Sequence, residues 1–249
     1  MFVHNINPVI AQIGPIQIRY YSLVYLFGFL FTVFLLDKLA KSKSIKNLTR
    51  ENASDLITFT MLGVIIGGRI GHILLDIKYY VHYPIETVMI WHGGMSFIGG
   101  FLAGLGIAFF YCKRKKIDFY KAADKVIIYV PLFLALGRIA NFVNGELYGY
   151  ITDLPWAVKF PDVPGFRHPS QLYEACLKFM AFFILLFVRN KKHKPGFILA
   201  LFTLLYGITR FIAEFFRYYS SLPLGLSTMQ YISLIMVAAG TYFVIKLKR

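Results

Sequence analysis

Acidic residues and cysteines are scarce in this chain: its 249 residues include only 12 Asp and Glu and two Cys. Cys112 and Cys176 both lie in apolar surroundings, and two unpatterned cysteines make neither a disulfide framework nor a metal site. The H-E-x-x-H pattern of zinc proteases and the G-x-S-x-G pattern of serine hydrolases are also missing. These absences argue against metalloprotease and hydrolase chemistry, and we predict no metal and no cofactor.

Charged residues of both signs make up 16% of the sequence, whereas 57% is apolar and 18% is aromatic. An ordinary soluble domain has about 25% charged residues. A membrane-spanning helix needs about 20 mainly apolar residues, so this composition allows about seven such helices and leaves little for a soluble domain. We predict an all-α polytopic membrane protein in which residues 1–249 form a single integral membrane domain.

Seven apolar segments are candidates for the spanning helices. They cover residues 20–36, 56–75, 93–112, 126–143, 175–188, 195–216 and 228–245. The N-terminus lacks the basic region and cleavage site of a secretory signal, so we expect the first segment to be retained. The long loop after the fourth segment, residues 145–170, is predicted to form a small extracytoplasmic cap between helices 4 and 5.

Basic residues cluster after every second segment. The clusters consist of Lys38, Lys41, Lys43, Lys46, Arg50, Lys113, Arg114, Lys115, Lys116, Lys121, Arg189, Lys191, Lys192, Lys194, Lys246, Lys248 and Arg249. The alternate side has four clear cations, namely Arg19, Lys78, Lys159 and Arg167. Because cytoplasmic loops carry the excess of Lys and Arg, this distribution of 17 against 4 predicts an outside N-terminus and a cytoplasmic C-terminus.

The formal net charge of +15 would indicate a nucleic-acid partner on a soluble protein. Here topology and contact with anionic lipid headgroups explain the basic clusters better. We therefore expect membrane lipids as partners and no nucleic acid.

Arg138 lies inside the fourth segment, where a charged side chain costs about 2.5 to 3.5 kcal/mol on insertion scales. At helical spacing it shares a face with Asn141, and Asn144-Gly145 is a helix-ending signal. The pattern presents a guanidinium, an amide and the carboxylate of Glu146 toward the outer leaflet. The alternative is an arginine that merely extends to the interface.

A polar stripe runs along the sixth segment. Four side chains fall within a sector of about 80° at helical spacing: Tyr206, Arg210, Glu214 and Arg217. Such a stripe should face the bundle interior or a polar cavity, because facing lipid would be costly. The alternative is a simple ion pair between Arg210 and Glu214, with Arg217 at the interface.

Glycine motifs surround a third intramembrane arginine. In Gly67-Gly68-Arg69-Ile70-Gly71 the glycines indicate close helix packing, and both a structural and a functional role stay open for Arg69. Gly100-x-x-x-Gly104 also favours packing. Tyr21, near the outer end of the first segment, is typical of an interfacial aromatic belt.

Guanidinium groups near the outer leaflet suit one kind of ligand. Their fixed, bidentate and permanently charged geometry fits a phosphate oxyanion. A phospholipid headgroup is the available source of such an oxyanion. The residues therefore indicate an enzyme that uses phospholipid, or a lipid-gated protein.

Four sequence blocks occur in the order typical of a known family. They are Gly67-Gly68-Arg69-Ile70-Gly71, Gly137-Arg138-x-x-Asn141-Phe142-x-Asn144-Gly145-Glu146-x-x-Gly149, Arg167-His168-Pro169-Ser170-Gln171-Leu172-Tyr173-Glu174 and Arg210-x-x-x-Glu214-Phe215-Phe216-Arg217. On these blocks the chain resembles the bacterial prolipoprotein diacylglyceryl transferases over essentially its whole length. The resemblance implies a seven-helix fold with its N-terminus outside.

The resemblance also implies a reaction and its partners. A diacylglyceryl group would pass from phosphatidylglycerol to the lipobox cysteine of a prolipoprotein signal peptide, forming a thioether and releasing glycerol phosphate. The reaction would take place at the outer face of the bacterial plasma (inner) membrane. It would be the first step of lipoprotein maturation.

Site residues carry over by the same resemblance. The implied phosphatidylglycerol-binding residues are Arg138, Asn141, Gly149 and Arg217, with Arg138 at the phosphate. The implied catalytic residues are Arg210, Glu214, Tyr206, Tyr21 and Glu146. In this scheme Arg210, oriented by Glu214 and Tyr206, stabilises the departing phosphate. Glu146 positions Arg138 or the headgroup glycerol.

One position departs from the family pattern. Many relatives have a His after the Gly-Gly-Met-Ser-Phe stretch, proposed as a catalytic base, and this chain has Ile98 there. Either another group such as His92, His168, Tyr21 or Glu146 takes the proton, or the arginine field alone generates enough thiolate, or the protein is impaired. We favour the arginine field.

Two other function classes stay open. A transporter could use buried Arg and Glu along a substrate path, but we find no internal repeat of the kind transporters show. A catalytically silent phospholipid-binding membrane protein is favoured by Ile98 and predicts lipid binding without turnover.

Overall fold

The computed structural model describes residues 1–13, 16–217 and 225–248. In these ranges the helices are α1 (Tyr20–Lys41), α2 (Arg50–Leu75), α3 (Ile77–His82), α4 (Phe97–Arg114), α5 (Phe119–Val126), α6 (Val130–Val143), α7 (Ser170–Val188), α8 (Phe197–Glu214) and α9 (Thr228–Leu247). The strands are β1 (Phe2–Val3), β2 (Val9–Ile13), β3 (Ile16–Arg19) and β4 (Val158–Lys159). The cation Arg249 lies outside the described residues.

Six helical stretches of the described chain are long and apolar enough to cross a membrane. They are α1, α2, the run Phe119–Val143 that contains α5 and α6, α7, α8 and α9. The chain is an all-α polytopic membrane protein, as predicted. Helix α4 coincides with the third predicted segment but is not among the six, so the count of seven stays a prediction, as do the sides of the termini.

Five helix starts differ from the predicted segments. Helices α4 and α8 begin at Phe97 and Phe197 rather than at residues 93 and 195. Helix α2 begins at Arg50 rather than at residue 56, because the Thr49 hydroxyl caps it by accepting from the Asn52 amide at 3.1 Å. Helix α6 begins at Val130 rather than at residue 126, after a 3-10 turn. Helix α7 begins at Ser170 rather than at residue 175, and this start places Glu174 inside the helix.

The chain divides into two compact units, Met1–Phe31 with Ala123–Arg249, and Thr32–Ala122. In the first unit α6 packs on α7, α7 on α8, and α8 on α9. Close approach of α8 and α9 depends on Gly207 and Gly240. A Cβ at Gly207 would lie 2.8 Å from the Ser233 carbonyl oxygen, and one at Gly240 would lie 2.7 Å from Leu204 Cα.

Asp124 on α5 fixes the start of α8. Its carboxylate is buried and accepts the backbone amides of Gly196 at 2.7 Å and Leu199 at 2.9 Å. A carboxylate at this position satisfies free amides and complements the positive end of the helix. The beginning of α8, the helix that carries Arg210, is thereby anchored to α5.

In the second unit α2 and α4 pack through their glycines, which confirms the packing interpretation of both motifs. A Cβ at Gly71 would lie 2.9 Å from Gly99 Cα, and one at Gly104 would lie 2.6 Å from Val64 Cγ2. Small residues let two helix backbones approach where a larger side chain would clash.

Arg69 organises the loop that precedes α4. Its buried guanidinium stacks over the Tyr80 ring at 5.2 Å. It donates to the backbone carbonyls of Glu86, Thr87, Met89, Gly93 and Gly94. Of the two roles open for Arg69, these contacts favour the structural one.

The segment between α6 and α7 is tied to the N-terminus of the chain. Strand β1 pairs in parallel with β4, and His4 Nε2 bonds the Phe142 carbonyl oxygen at 2.7 Å. Gly145 takes a φ of 70°, a conformation that glycine adopts at little cost, and ends α6 as predicted. These contacts hold residues 144–169, which include Glu146, close to the end of α6, where Asn141 lies.

Candidate active site

Glu174 is the point at which arginines from two other helices meet. Its Oε2 lies 2.9 Å from Arg138 Nε and 3.0 Å from Arg210 Nη1. The carboxylate is buried on α7, which packs on both α6 and α8. Sharing one carboxylate offsets part of the cost of holding two guanidinium groups in an apolar interior.

Arg138 is also linked to Glu146 through the side-chain amide of Asn141. Its Nη1 donates to Asn141 Oδ1 at 3.0 Å, and Asn141 Nδ2 donates to Glu146 Oε1 at 2.7 Å. The Arg138 side chain is 24% exposed, and its Nη2 donates to none of the described residues. Arg138 therefore keeps one guanidinium nitrogen that no described residue occupies, on a side chain that is partly exposed.

Arg210 is enclosed by carboxylates. Besides Glu174, its Nη2 pairs with Glu214 Oε2 at 2.7 Å, one helical turn further along α8. Glu214 Oε1 in turn accepts the Ser227 hydroxyl at 3.0 Å. Ser227 is the N-cap of α9 and forms a capping box with Gln230. The orientation of Arg210 is therefore fixed by α7, by its own helix and by the start of α9.

Tyr206 lies on the same helix but contacts a different cation. The Lys178 ammonium stands 3.8 Å from the centre of the Tyr206 ring and donates to Thr209 Oγ1 at 3.0 Å. Within the described residues no hydrogen bond joins Tyr206 to Arg210. The geometry thus associates Tyr206 with Lys178 rather than with the orientation of Arg210.

Gly149 and Arg217 form an antiparallel backbone bridge. A Cβ at Gly149 would collide with the Phe216 carbonyl oxygen and lie 2.8 Å from His168 Cβ. The prediction that Arg217 continues the polar stripe on one helix is wrong, because α8 ends at Glu214 and the chain turns into this bridge. Only glycine allows the two backbones to approach this closely.

Arg217 lies within electrostatic range of two other arginines. Burial, together with the positive charges of Arg210 and Arg138, lowers the pKa of its guanidinium. A pocket of about 440 Å³ opens beside Arg217 and is also lined by Glu146 and Asp162. The open space at this edge of the site is therefore bordered by one arginine and two carboxylates.

Arg167 supports Gly149 from inside the loop. Its Nη1 donates to the Gly149 carbonyl at 3.1 Å, its Nε donates to the Pro164 carbonyl at 3.3 Å, and its guanidinium lies over the Tyr148 ring at 5.1 Å. These contacts hold the backbone that faces Arg217.

Tyr21 is joined to the site through its neighbour on α1. The Tyr21 and Tyr25 hydroxyl groups lie 2.6 Å apart. Tyr25 in turn lies within electrostatic range of Arg138 and Glu146. Tyr21 is thus linked to Arg138 indirectly, through Tyr25.

His92 and His168 are two of the groups that could replace the missing base. His168 Nδ1 lies 3.3 Å from the Tyr173 hydroxyl, and burial lowers the pKa of the His168 imidazole. His92 Nδ1 lies 3.0 Å from Glu86 Oε2, in the second unit. Ile98 lies in the first turn of α4 and is 45% exposed. None of these contacts assigns the base.

The structure brings most of the predicted residues into one polar cluster. Its members are Arg138, Asn141, Glu146, Glu174, Lys178, Tyr206, Arg210, Glu214 and Arg217, linked directly or by charge. Sequence reasoning assigned no role to Glu174 or Lys178. Their signal was available: Glu174 directly precedes the fifth apolar segment and Lys178 lies four residues later, so the two should share a helix face if the helix begins before Glu174.

The cluster contains one more positive than negative group when all are ionised. Its cations are Arg138, Lys178, Arg210 and Arg217, and its carboxylates are Glu146, Glu174 and Glu214. Among the residues that the structure describes, no group of three or more His, Cys, Asp or Glu side chains is arranged to hold a metal ion. The excess charge is suited to one monoanionic phosphodiester.

Comparison with known proteins identifies relatives over nearly the full chain. The family model described as prolipoprotein diacylglyceryl transferase matches residues 8–246. The chain is 41% identical to the phosphatidylglycerol–prolipoprotein diacylglyceryl transferase of Nitrosomonas europaea over 250 residues, which covers 96% of this chain and 90% of the relative. It is 44% identical to the protein of the same name from Photobacterium profundum over 216 residues, covering 86% of this chain and 81% of the relative.

Proposed function

Because this chain belongs to the prolipoprotein diacylglyceryl transferase family, we propose that it transfers a diacylglyceryl group from phosphatidylglycerol to the lipobox cysteine thiol of prolipoproteins. The observation that carries the mechanism is the meeting of Arg138 and Arg210 on one buried carboxylate oxygen. Both guanidinium groups are thereby directed at one point, and at that point a phosphate can replace the carboxylate.

The proposed reaction is a displacement at carbon. The thiolate sulfur attacks the glycerol carbon that bears the phosphate, a C–S bond forms, and the C–O bond to phosphate breaks with its electron pair leaving on oxygen. Glycerol phosphate departs with one more negative charge than the diester carried. Arg138 and Arg210 stabilise that developing charge, which is the electrostatic contribution expected to matter most in such a site.

In this proposal the pocket beside Arg217 binds the glycerol headgroup of phosphatidylglycerol. Asn144, Glu146 and Asp162 line it and offer acceptors for the hydroxyl groups of a headgroup glycerol. Asn141 would then link headgroup and phosphate, because it bonds both Arg138 and Glu146. Gly149 keeps the wall of this pocket close to Arg217.

The thiol proton needs an acceptor in this scheme. A free cysteine has a pKa near 8.5, and a positive field lowers it, so the arginines of the cluster increase the thiolate fraction without a dedicated histidine. Solvent at the outer membrane surface then accepts the proton. The positive-inside distribution supports this placement of the site at the outer face of the plasma membrane.

A transfer assay tests the proposal. Purified protein is mixed with phosphatidylglycerol vesicles and a lipobox peptide, and mass spectrometry follows the peptide. We expect a diacylglyceryl thioether on the cysteine peptide and none on a peptide with serine in its place. Vesicles of phosphatidylcholine alone serve as the lipid control. Phosphatidylglycerol binding without any thioether, under several lipid conditions, would instead support the silent lipid-binding protein that Ile98 favours.

A further inference from the structure

Lys178 is a buried cation that the proposed reaction does not use. Its side chain is 2% exposed, on α7 between Tyr206 and Thr209 of α8. Both contacts are to neutral groups, and no carboxylate of the described residues lies within ion-pair distance of its ammonium. Holding a cation in an apolar interior with neutral partners is costly, so the charged form of Lys178 depends on a nearby counter-charge.

That counter-charge stands one turn away on the same helix. Glu174 precedes Lys178 by four residues, the spacing and order in which a Glu and a Lys pair best along a helix. Glu174 Oε1 is buried and bonds none of the described residues, whereas Oε2 is occupied by Arg138 and Arg210. The carboxylate therefore has one oxygen committed to the arginines and one available.

A phosphate bound by Arg138 and Arg210 competes with Glu174 for the same donors. Two anions cannot share these donors without strong repulsion, so the carboxylate has to give up its contacts when the lipid binds. A displaced carboxylate with no partner would be a buried, uncompensated charge. Lys178 is the nearest cation on α7 that the phosphate does not engage.

We propose that Lys178 is a positioning residue that receives the Glu174 carboxylate when the lipid phosphate takes its place on Arg138 and Arg210. This inference rests on the proposed function for the identity of the lipid. In the unliganded site Glu174 keeps the arginines together, and in the liganded site Lys178 keeps Glu174 away from the phosphate. Lys178 thereby lowers the free-energy cost of lipid binding without touching the substrate.

The inference is tested by a double-mutant cycle on Lys178 and Glu174. The variants are Lys178→Met, Glu174→Gln and the pair, with Lys178→Arg to restore the charge. The readouts are the dissociation constant for phosphatidylglycerol in mixed vesicles, which needs no turnover, and kcat and KM for transfer. Lys178→Met is expected to raise the dissociation constant for phosphatidylglycerol by about tenfold when Glu174 is present. In the Glu174→Gln variant the same change should raise it by less than about twofold, as expected for two coupled neighbours. KM should rise in parallel while kcat changes little, and Lys178→Arg should recover most of the loss.

Thr209→Val is the matched control, because it removes the Lys178 hydrogen bond and keeps the ammonium. A merely structural lysine would give equal losses in both backgrounds, or a loss of thermal stability with unchanged affinity, and either result overturns the inference. If phosphatidylglycerol binds with the predicted coupling but no thioether forms, the proposed function fails while the role of Lys178 stands.

Discussion

Arg138 and Arg210 lie on different helices and meet on the same oxygen atom, Oε2 of Glu174, at 2.9 and 3.0 Å. Two cations in an apolar interior are held together by one anion, and we propose that the phosphate of the lipid replaces this anion. This relationship connects the fold, which packs α7 against both α6 and α8, to the proposed binding and release of phosphate.

Arg138→Lys should lower transfer by on the order of 100-fold, because lysine keeps the charge but loses the planar fork that joins Glu174 and Asn141. The rate of thioether formation by mass spectrometry measures this loss. Arg189→Lys, in an exposed basic cluster, is the matched control and should retain full activity. Retention of most activity by Arg138→Lys would mean that Arg138 is only an interfacial anchor.

Glu174→Gln should destabilise the protein, because two buried guanidinium groups lose their shared counter-charge. Breaking a buried ion pair from one side costs about 3 to 5 kcal/mol. The thermal unfolding midpoint of the purified protein in detergent is the measurement, with Glu51→Gln at the exposed start of α2 as the control. An unchanged midpoint would show that the arginines do not depend on Glu174.

Gly149→Ala should lower both activity and stability, since the added Cβ collides with the Phe216 carbonyl and with His168. Gly106→Ala is the matched control. Gly106 lies in α4, and a Cβ added there would have no neighbouring atom within 4 Å. Replacing a glycine within a helix by alanine stabilises by up to about 1 kcal/mol, so this variant should be neutral or more stable. Equal behaviour of the two variants in thermal unfolding would contradict the close approach at Gly149.

The stability of the protein should fall as pH decreases below the ordinary pKa of histidine, 6.5, in part because of His168. Burial lowers the pKa of His168, so the folded state favours the neutral ring. The unfolded state then binds more protons as pH falls, and the stabilisation present above pH 6.5 is lost as pH falls through the folded pKa. His168→Gln should reduce this slope, measured as unfolding midpoint against pH, and exposed His82→Gln should not.

Ile98→His should change activity by less than about tenfold, because the arginine field is expected to supply the thiolate without a histidine at this position. The thioether assay at constant lipid composition measures it, with Ile98→Gln as a polar control. A rise of several orders of magnitude in Ile98→His alone would show that a base at this position is required and that the arginine-field account is wrong.

The parts of the fold and site that were predictable from the sequence are those set by local spacing. The contact of Arg138 with Asn141, the helix end at Asn144-Gly145 and the burial of Arg210 with Glu214 all follow from helical periodicity and charge. The contacts of Glu174 and Lys178 could not be derived this way. Their partners lie on α6 and α8, and the rotation of α7 against those helices is set by packing of all three. Arg217 was misplaced because the Gly149 bridge, a contact across the chain, overrides helix continuation.

The central claim is that Arg138 and Arg210 grip the phosphate of the lipid donor in the place of Glu174. An experimental structure of the full chain with a phosphatidylglycerol analogue bound tests it most directly. The account predicts phosphate oxygens within hydrogen-bond distance of both guanidinium groups, with Glu174 Oε2 moved off them. A phosphate bound elsewhere while Glu174 still bridges Arg138 and Arg210 would contradict it.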